Sequence, residues 1–407
     1  MTLPTPPWHS PIAASDDGGS PAGSAGGTDR RGRRAADRPR RRVPDVVFAG
    51  PRRYRLVRAW PRGDDHALAE LADDDGATVA AQWFADPDAL AAAAAAVPEP
   101  AQVAGDVLLQ PAGADARLRA LPEVLTEPGA RLVAHRPGRR AVVRVTGADG
   151  AAREYAKVVR PSRAEDLAAR GTAVDALVGD RVPVPRLLET SQVGRGVLRW
   201  SVVPGRTLHD LGAAGTWTPD EARAAWEAAG RAVARLHTAP AGTVTARHDA
   251  ARELDAIADW LHPAVAHGLL DADLVARAGE RVAAELEAVP EAPALGVLHR
   301  DLHDKQLLID DAGRVGMIDV DTLAVGERAL DVANLLVHLE LREAQRLLAP
   351  GLAAAARAGF LAGVGAGDLP AERVSAYERA TRLRLAGVYA FRPRWRAVAS
   401  DLLHRAG

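Results

Sequence analysis

The chain has 407 residues, 47% of them hydrophobic, which is enough for two or three domains with a sizeable core. Its 52 basic and 53 acidic residues give a net charge of −1, and this balance indicates neither a nucleic-acid partner nor a membrane surface. The absence of cysteine excludes disulfide bonds, thiol catalysis and thiolate zinc sites.

The first 45 residues differ in composition from the rest of the chain. They are rich in Pro, Gly, Ser, Asp and Arg, and few of them can form a core. Such a segment buries too little apolar surface to offset the entropy lost on ordering, so residues 1–45 are predicted to be a disordered basic tail. The start lacks the features of a signal peptide, and the alanine-rich run 89–96 is too short to span a membrane. We therefore expect a cytoplasmic protein that makes no membrane contact.

Residues 46–130 carry strand and turn signals. Apolar and polar side chains alternate over 54–60, and a second strand is predicted over 78–84. The segment 73–76 contains three consecutive aspartates before a glycine. Because no calcium-ligand pattern follows, it is interpreted as a solvated turn.

A three-stranded meander is predicted next, with strands over 131–136, 141–145 and 153–159. A helix over 163–178 and an extended segment at 182–185 follow it. A further strand over 197–203 is terminated by Pro204 and Gly205.

After Gly205 the pattern becomes helical. Thr218, Pro219 and Glu221 are typical of a capping box with proline in the first helical turn, and the helix is predicted to reach His237. Further helices are predicted over 249–266, 271–288, 329–342, 351–363, 370–390 and 394–405, and short strands over 295–298, 307–309 and 315–318. A small β-lobe with one helix, followed by a mostly helical lobe, is typical of kinase-like folds. The sequence therefore predicts an α+β, two-lobed fold.

Two carboxylates are predicted to lie side by side in the helical lobe. A short strand leads into the loop that contains Asp301, and another apolar strand ends at Asp319. Phosphoryl transfer needs one carboxylate to orient a hydroxyl and accept its proton, and oxygen ligands to hold magnesium across the phosphates. Asp301 fits the base, and Gln306 with Asp319 fits the metal, because amide and carboxylate oxygens suit Mg²⁺.

The same residues carry a resemblance to a known family. His299, Arg300 and Asp301, with Gln306 five positions after the aspartate, resemble the catalytic loop of the aminoglycoside phosphotransferase and choline kinase superfamily. The segments 318–321 and 330–335 resemble its metal-binding strand end and the helix that follows, and the likeness covers about 131–341. The family usually has Asn where Gln306 stands; a similar Gln occurs in maltokinase-like members, which also carry an extra N-terminal segment. The resemblance implies ATP and Mg²⁺ as cofactors and a small-molecule hydroxyl as acceptor.

By the same resemblance, the chain divides into the tail (1–45), a small cap-like segment (46–130), a kinase-like N-lobe with its hinge (131–206) and a helical C-lobe (207–407). Lys157 matches the lysine that binds the ATP phosphates, and Glu165, with Asp175 as second choice, is its expected acidic partner. Backbone groups near Ser201 and Val203 are expected to bind adenine. The turn 136–139 is expected to cover the phosphates, and Lys305 is a candidate contact for the transferred phosphate.

Two other classes of function remain open from the residues alone. His299, Asp301 and His303, with Asp319 and Asp321, have the composition of a metallohydrolase site. A nucleotide-binding pseudokinase is the second alternative, suggested by Gln306. The acceptor is left open among aminoglycosides, sugars and amino alcohols. His299 and Asp331 are expected to hold the loop backbone rather than to bind a metal.

Overall fold

The computed structural model describes residues 42–242, 244–288 and 294–407. The predicted tail therefore lies outside the described residues, apart from its last four positions. Within the described ranges, no helix combines the length and the apolar character that a bilayer crossing requires.

The first sheet contains six antiparallel strands in the spatial order β1-β2-β3-β4-β6-β5. Its elements are β1 (Val46–Ala49), β2 (Arg52–Pro61), β3 (His66–Asp73), β4 (Thr78–Phe84), α1 (Pro87–Ala96), β5 (Gln102–Ala104) and β6 (Val107–Gln110). The predicted strands 54–60 and 78–84 are confirmed as β2 and β4. Strand β3 was not predicted, because its alanines and leucines are buried without a regular alternation. In the turn that follows it, Asp73 accepts backbone hydrogen bonds from Asp75 and Ala77, as expected for a solvated turn.

The second sheet confirms the predicted meander and has the order β10-β11-β9-β8-β7. This part of the chain contains α2 (Leu121–Leu125), β7 (Ala130–Arg136), β8 (Arg140–Thr146), β9 (Ala152–Val159), α3 (Pro161–Val178), β10 (Leu187–Glu189) and β11 (Val197–Ser201). Every second residue of β8 is buried, which explains why the alternation in the sequence located this strand.

The C-terminal part is mostly helical. Its elements are β12 (Arg206–Thr207), α4 (Leu208–Ala213), α5 (Pro219–His237), β13 (Arg247–His248), α6 (Ala250–Ala266), α7 (Ala272–Glu287), β14 (Leu295–Leu298), β15 (Leu307–Ile309), β16 (Val315–Met317), β17 (Ala324–Glu327), α8 (Arg328–Ala344), α9 (Pro350–Val364), α10 (Ala371–Ala390) and α11 (Arg396–Ala406). The capping box at the start of α5 is confirmed: the Glu221 amide donates to Thr218 Oγ1, and the Thr218 amide donates to the Glu221 carboxylate. Two small sheets, β12-β15-β16 and β13-β17-β14, support the loops between the helices.

The first sheet packs against the C-terminal helices. One hydrophobic core joins residues of β1 to β6, such as Trp83, with residues of α6, α7, α8, α10 and α11, such as Tyr377. The Ala59 amide of β2 donates a hydrogen bond to the Phe391 carbonyl at the end of α10, 2.9 Å away. Asp45, just before β1, forms a two-pronged ion pair with Arg396 of α11. These contacts fix the end of β2 beside the end of α10.

The α+β prediction is confirmed, with a β-sheet N-terminal lobe and a helical C-terminal lobe. Gly205 joins the lobes with a φ of +107°, and a Cβ there would meet the backbone of Ile309 and Asp310. Only glycine adopts this conformation in so narrow a space. The segment boundaries at 45, 130 and 206 stay predictions.

Candidate active site

A buried carboxylate at the start of α8 holds the loop that contains Asp301. Asp331 is fully buried, and its two oxygens accept the backbone N–H groups of His299 and Arg300, each at 2.8 Å. His237 lies 3.1 Å from the same carboxylate. Burial alone would raise the pKa of Asp331, but the hydrogen bonds and the neighbouring histidines hold it below its ordinary value. The expected capping role of Asp331 is confirmed, and Arg300 takes a left-handed φ of +73°.

Side-chain hydrogen bonds fix both ends of the same loop. His299 is buried, and its Nε2 lies 3.0 Å from the carbonyl oxygen of Ile318. At the other end, Asn334 Nδ2 donates to the Leu302 carbonyl at 3.0 Å, and Arg384 donates to Asn334 Oδ1. The structural role expected for His299 is confirmed.

Asp301 is exposed on this loop, and the two predicted metal ligands lie next to each other nearby. The backbone N–H of Ile318 donates to the Gln306 carbonyl at 3.0 Å, which aligns the two segments. The side-chain Nε2 of Gln306 donates to Asp319 Oδ2 at 3.5 Å. Asp319 has a left-handed φ of +59° at the point where the chain leaves β16. The two groups offer amide and carboxylate oxygens, a donor set that suits a hard cation such as Mg²⁺.

Lys157 extends from β9 into the same site, but its partner differs from the expected one. Its Nζ donates to Asp321 Oδ2 at 2.5 Å, and both side chains are mostly buried. Burial opposes the charge of Asp321, yet the Lys157 ammonium keeps the pKa of this carboxyl below its usual range. Glu165 lies on the exposed face of α3, one position after the buried Ala164, so its side chain points away from the site.

The hinge residues have different surroundings. Ser201 exchanges hydrogen bonds with Arg186, since its N–H donates to the Arg186 carbonyl and its hydroxyl accepts the Arg186 N–H. In the described part of the chain, no hydrogen bond engages the backbone N–H or C=O of Val203. A cavity of about 460 Å³ lies beside the hinge and is lined by Asp175, Ser201 and Val203, among others. Neither Lys157 nor Asp301 lines this cavity, so it does not connect the hinge with the carboxylates of Asp301 and Asp319.

The turn after β7 lies close to Asp319. Arg140 Nη1 is 3.9 Å from Asp319 Oδ1. Asp115, which no sequence pattern had singled out, orders this turn by accepting the Gly138 N–H at 2.6 Å and contacting His135 at 2.9 Å. Burial and the positive charges of Arg140 and Arg58 lower the pKa of Arg136 to about 10, while Asp319 and Asp301 oppose this shift.

A second buried network below Asp301 was also missed from the sequence. Asp304 accepts two hydrogen bonds from Arg342, at 2.8 and 2.9 Å, and lies 2.7 Å from His209 Nδ1. The ring of His303 packs on His338, with centroids 4.9 Å apart, and burial lowers its pKa to about 4. His303 is therefore neutral near pH 7.

The geometry agrees with the comparisons with known proteins. The model of the family described as "Phosphotransferase enzyme family" matches residues 131–373, more than half of the chain. The chain belongs to this family. The phosphotransferase is 30% identical over 208 residues to streptomycin 3''-kinase of Streptomyces griseus, a match that covers 46% of this chain and 70% of that protein. The predicted family and the prediction of a small-molecule kinase are thereby confirmed.

Solved structures give similar matches. An aminoglycoside phosphotransferase from Streptomyces rimosus is 25% identical, with coverage of 67% of this chain and 98% of the other and a TM-score of 0.48. A choline/ethanolamine kinase family protein from Mesorhizobium loti is 20% identical, with coverage of 72% and 91% and a TM-score of 0.44.

Proposed function

We propose that this phosphotransferase transfers the γ-phosphate of Mg·ATP to a hydroxyl group of a small molecule. The observation that carries the proposal is the position of Asp301, on a loop held by Asp331, close to the adjacent pair Gln306 and Asp319. A base and a pair of oxygen ligands are what phosphoryl transfer asks of the protein.

Asp301 is the proposed base. The acceptor oxygen attacks the γ-phosphorus, the bond from phosphorus to the bridging oxygen breaks, and ADP leaves with that electron pair. The acceptor proton goes to the Asp301 carboxylate. Two backbone hydrogen bonds to Asp331 and one from Asn334 keep the loop in place, so Asp301 can orient the hydroxyl without rearrangement of the backbone.

Gln306 and Asp319 are the residues that would hold Mg²⁺. When bound, the ion would offset the negative charge that develops on the phosphate oxygens. Asp319 is also within 3.9 Å of Arg140, so this carboxylate is already positioned by a cation.

Lys157 is proposed to bind the ATP phosphates, and Asp321 is proposed to hold its ammonium in position until nucleotide arrives. A compact ammonium ion on a flexible stem suits phosphate binding. At the hinge, the free backbone groups of Val203 fit adenine recognition best, whereas the Ser201 N–H is already bonded to Arg186. Glu165 has no contact with Lys157 in the described residues, so we propose Asp321 as the partner in its place.

Mg·ATP should raise the thermal unfolding temperature of the wild-type protein, and Lys157→Ala should weaken the rise. A ligand that binds only the folded state stabilises it by RT ln(1 + [L]/Kd), and loss of the ammonium weakens phosphate binding by about tenfold or more. The measurement is a thermal melt with ATP, with and without Mg²⁺.

Arg153→Ala is the matched control for Lys157→Ala, because Arg153 lies on the same strand with its side chain 69% exposed. It should respond to Mg·ATP like the wild type. Stabilisation by Zn²⁺ or Mn²⁺ alone, with no response to ATP, would instead favour the metallohydrolase.

Asp319→Ala should remove most of the magnesium dependence of nucleotide binding. The change deletes one of the two proposed metal ligands and leaves Lys157 and the hinge in place. The readout is the difference between the ATP-induced shifts with and without Mg²⁺, and Asp311→Ala in the exposed β15–β16 turn is the control. A magnesium dependence equal to that of the wild type would refute the ligand role of Asp319.

A further inference from the structure

Four cations lie close enough to one another for their charges to interact, and one of them interacts with Asp301 and Asp319. The mechanism above uses none of them. We call Arg58, Arg136, Lys305 and Arg392 the cation cluster. They come from three separate parts of the chain: β2, the end of β7, and the C-terminal lobe at the catalytic loop and the end of α10.

Trp60 joins two members of the cluster. The guanidinium of Arg58 lies 4.7 Å from the centroid of the Trp60 ring, and that of Arg136 lies 4.5 Å from it. Because the indole ring attracts both guanidinium groups, Arg58 and Arg136 stay close together in spite of their like charge. Arg136 is also close enough to Asp301 and Asp319 for their charges to act on it.

Arg392 is brought to the same place by the contact between β2 and α10. The hydrogen bond from the Ala59 amide to the Phe391 carbonyl places these two segments side by side, and Arg58 and Arg392 are the residues next to the bonded pair. Arg392 lies over the ring of Tyr389, 4.2 Å from its centroid. Burial lowers the pKa of Arg392, and the charges of Arg58 and Arg342 lower it further, while Tyr389 opposes this shift.

The cluster is short of carboxylate partners, and its members Arg136 and Arg392 are partly buried, whereas Lys305 is exposed. Glu70 pairs with Arg58 at 2.8 Å. Across the ranges that the structure describes, no carboxylate forms an ion pair with Arg136, Lys305 or Arg392. Partly buried charges without a partner are costly, and they are retained where a ligand supplies the opposite charge.

The nucleotide accounts for only part of this charge. Arg136 is close enough to Asp319 for their charges to interact, and it can therefore contact the phosphates of ATP. Arg392 and Lys305 belong to the C-terminal lobe, and Lys305 follows Asp301 by four residues in the loop that presents the base. A cationic acceptor would be repelled by these charges, whereas an anionic group on the acceptor would be attracted.

We propose that the acceptor is a hydroxyl compound that carries a carboxylate or phosphate group, and that Arg392 and Lys305, with Arg58 and Arg136, bind this anionic group beside Asp301. This rests on the proposed kinase function. It differs from the activity of the Streptomyces griseus relative, whose substrate streptomycin is a cation. The cap-like segment contributes Arg58 and Trp60, so it forms part of the acceptor site.

The test uses the full-length protein with saturating Mg²⁺ and AMP-PNP, so that the nucleotide site is filled. The unfolding temperature is then measured with glucose, glucuronate, glucose 6-phosphate or streptomycin at constant ionic strength. Glucose, glucuronate and glucose 6-phosphate share one scaffold and differ in charge, and streptomycin is the cationic comparison. The two acids separate a preference for carboxylate from one for phosphate.

At least one of the two acids should raise the unfolding temperature more than glucose does, and streptomycin should not. Arg392→Gln should weaken the apparent affinity for that acid about tenfold, since a charge-assisted hydrogen bond is lost. Arg394→Gln is the matched control, because Arg394 is exposed two residues away and stacks on Trp395. It should behave like the wild type.

Three outcomes would overturn the inference: equal shifts with glucose and both acids, a shift with streptomycin alone, or an acid response that Arg392→Gln leaves unchanged. In each of these the response to AMP-PNP persists, so the kinase function stands. Loss of the AMP-PNP response itself in the wild-type protein would overturn the proposed function, and the inference with it.

Discussion

Asp301→Asn should lower ATP turnover with a hydroxyl acceptor by a factor of about 10² to 10⁴, the usual contribution of a general base. Asparagine keeps the size of the side chain but cannot accept the acceptor proton. The loop itself should not change, because Asp331 and Asn334 hold its backbone and neither contacts the Asp301 side chain by a hydrogen bond in the described residues. Nucleotide binding should therefore persist.

The measurement is steady-state ATP turnover with an acceptor found by screening, together with the thermal shift that Mg·ATP produces. Asp311→Asn, an identical change in the exposed turn between β15 and β16, is the control and should keep wild-type turnover. If Asp301→Asn turns over like Asp311→Asn, the base is another group. If instead the variant loses the ATP shift as well as turnover, Asp301 acts in binding rather than in proton transfer.

The parts of this fold that the sequence predicted are those that depend on local patterns. The capping box at Thr218 fixed the start of α5, and the alternation over 141–145 located β8. The adjacency of Gln306 and Asp319 was predicted because their spacing from Asp301 is itself a local pattern. The residues that make up each of these features lie within about twenty positions of one another.

The partners of the site residues could not be predicted in the same way. Lys157 and Asp321 are 164 positions apart, and Glu165 was expected only because it lies on the helix after Lys157. The structure directs Ala164 and Ala168 inward, so Glu165 faces solvent. Contacts of this kind depend on how the two lobes pack against each other. No local pattern in the sequence predicts that packing.

The position of the cap-like segment could not be predicted from the sequence either. Nothing in the sequence of 46–130 indicates that the guanidinium of Arg136, from the following sheet, lies over the Trp60 ring. The segment shares its hydrophobic core with α10 and is therefore held to the C-terminal lobe. The end of β2 lies beside the end of α10. The acceptor site can thus include residues from both ends of the chain.

Arg342→Leu should destabilise the protein by about 3–5 kcal/mol, because it leaves the buried Asp304 without its bidentate partner. His209 remains 2.7 Å from Asp304, but its single contact does not replace the two hydrogen bonds of the guanidinium. Adding Asp304→Asn to Arg342→Leu should recover part of the loss, since no buried charge is then left uncompensated. Arg357→Leu is the control: Arg357 pairs with Glu378 with its side chain 51% exposed, so its loss should cost less than about 1 kcal/mol.

The pH dependence of the same variant tests the cause of the loss. Hydrogen bonds from His209 and Arg342 and the charge of Arg342 outweigh burial and hold the pKa of Asp304 far below its ordinary value of 3.8. A carboxyl with a depressed pKa contributes stability above its ordinary pKa and loses that contribution as the pH falls below it. The free-energy difference between wild type and Arg342→Leu, measured by urea unfolding, should be largest at pH 5 to 7 and shrink toward about pH 3.5. A difference that stays constant over this range would assign the loss to packing of the Arg342 side chain rather than to its charge.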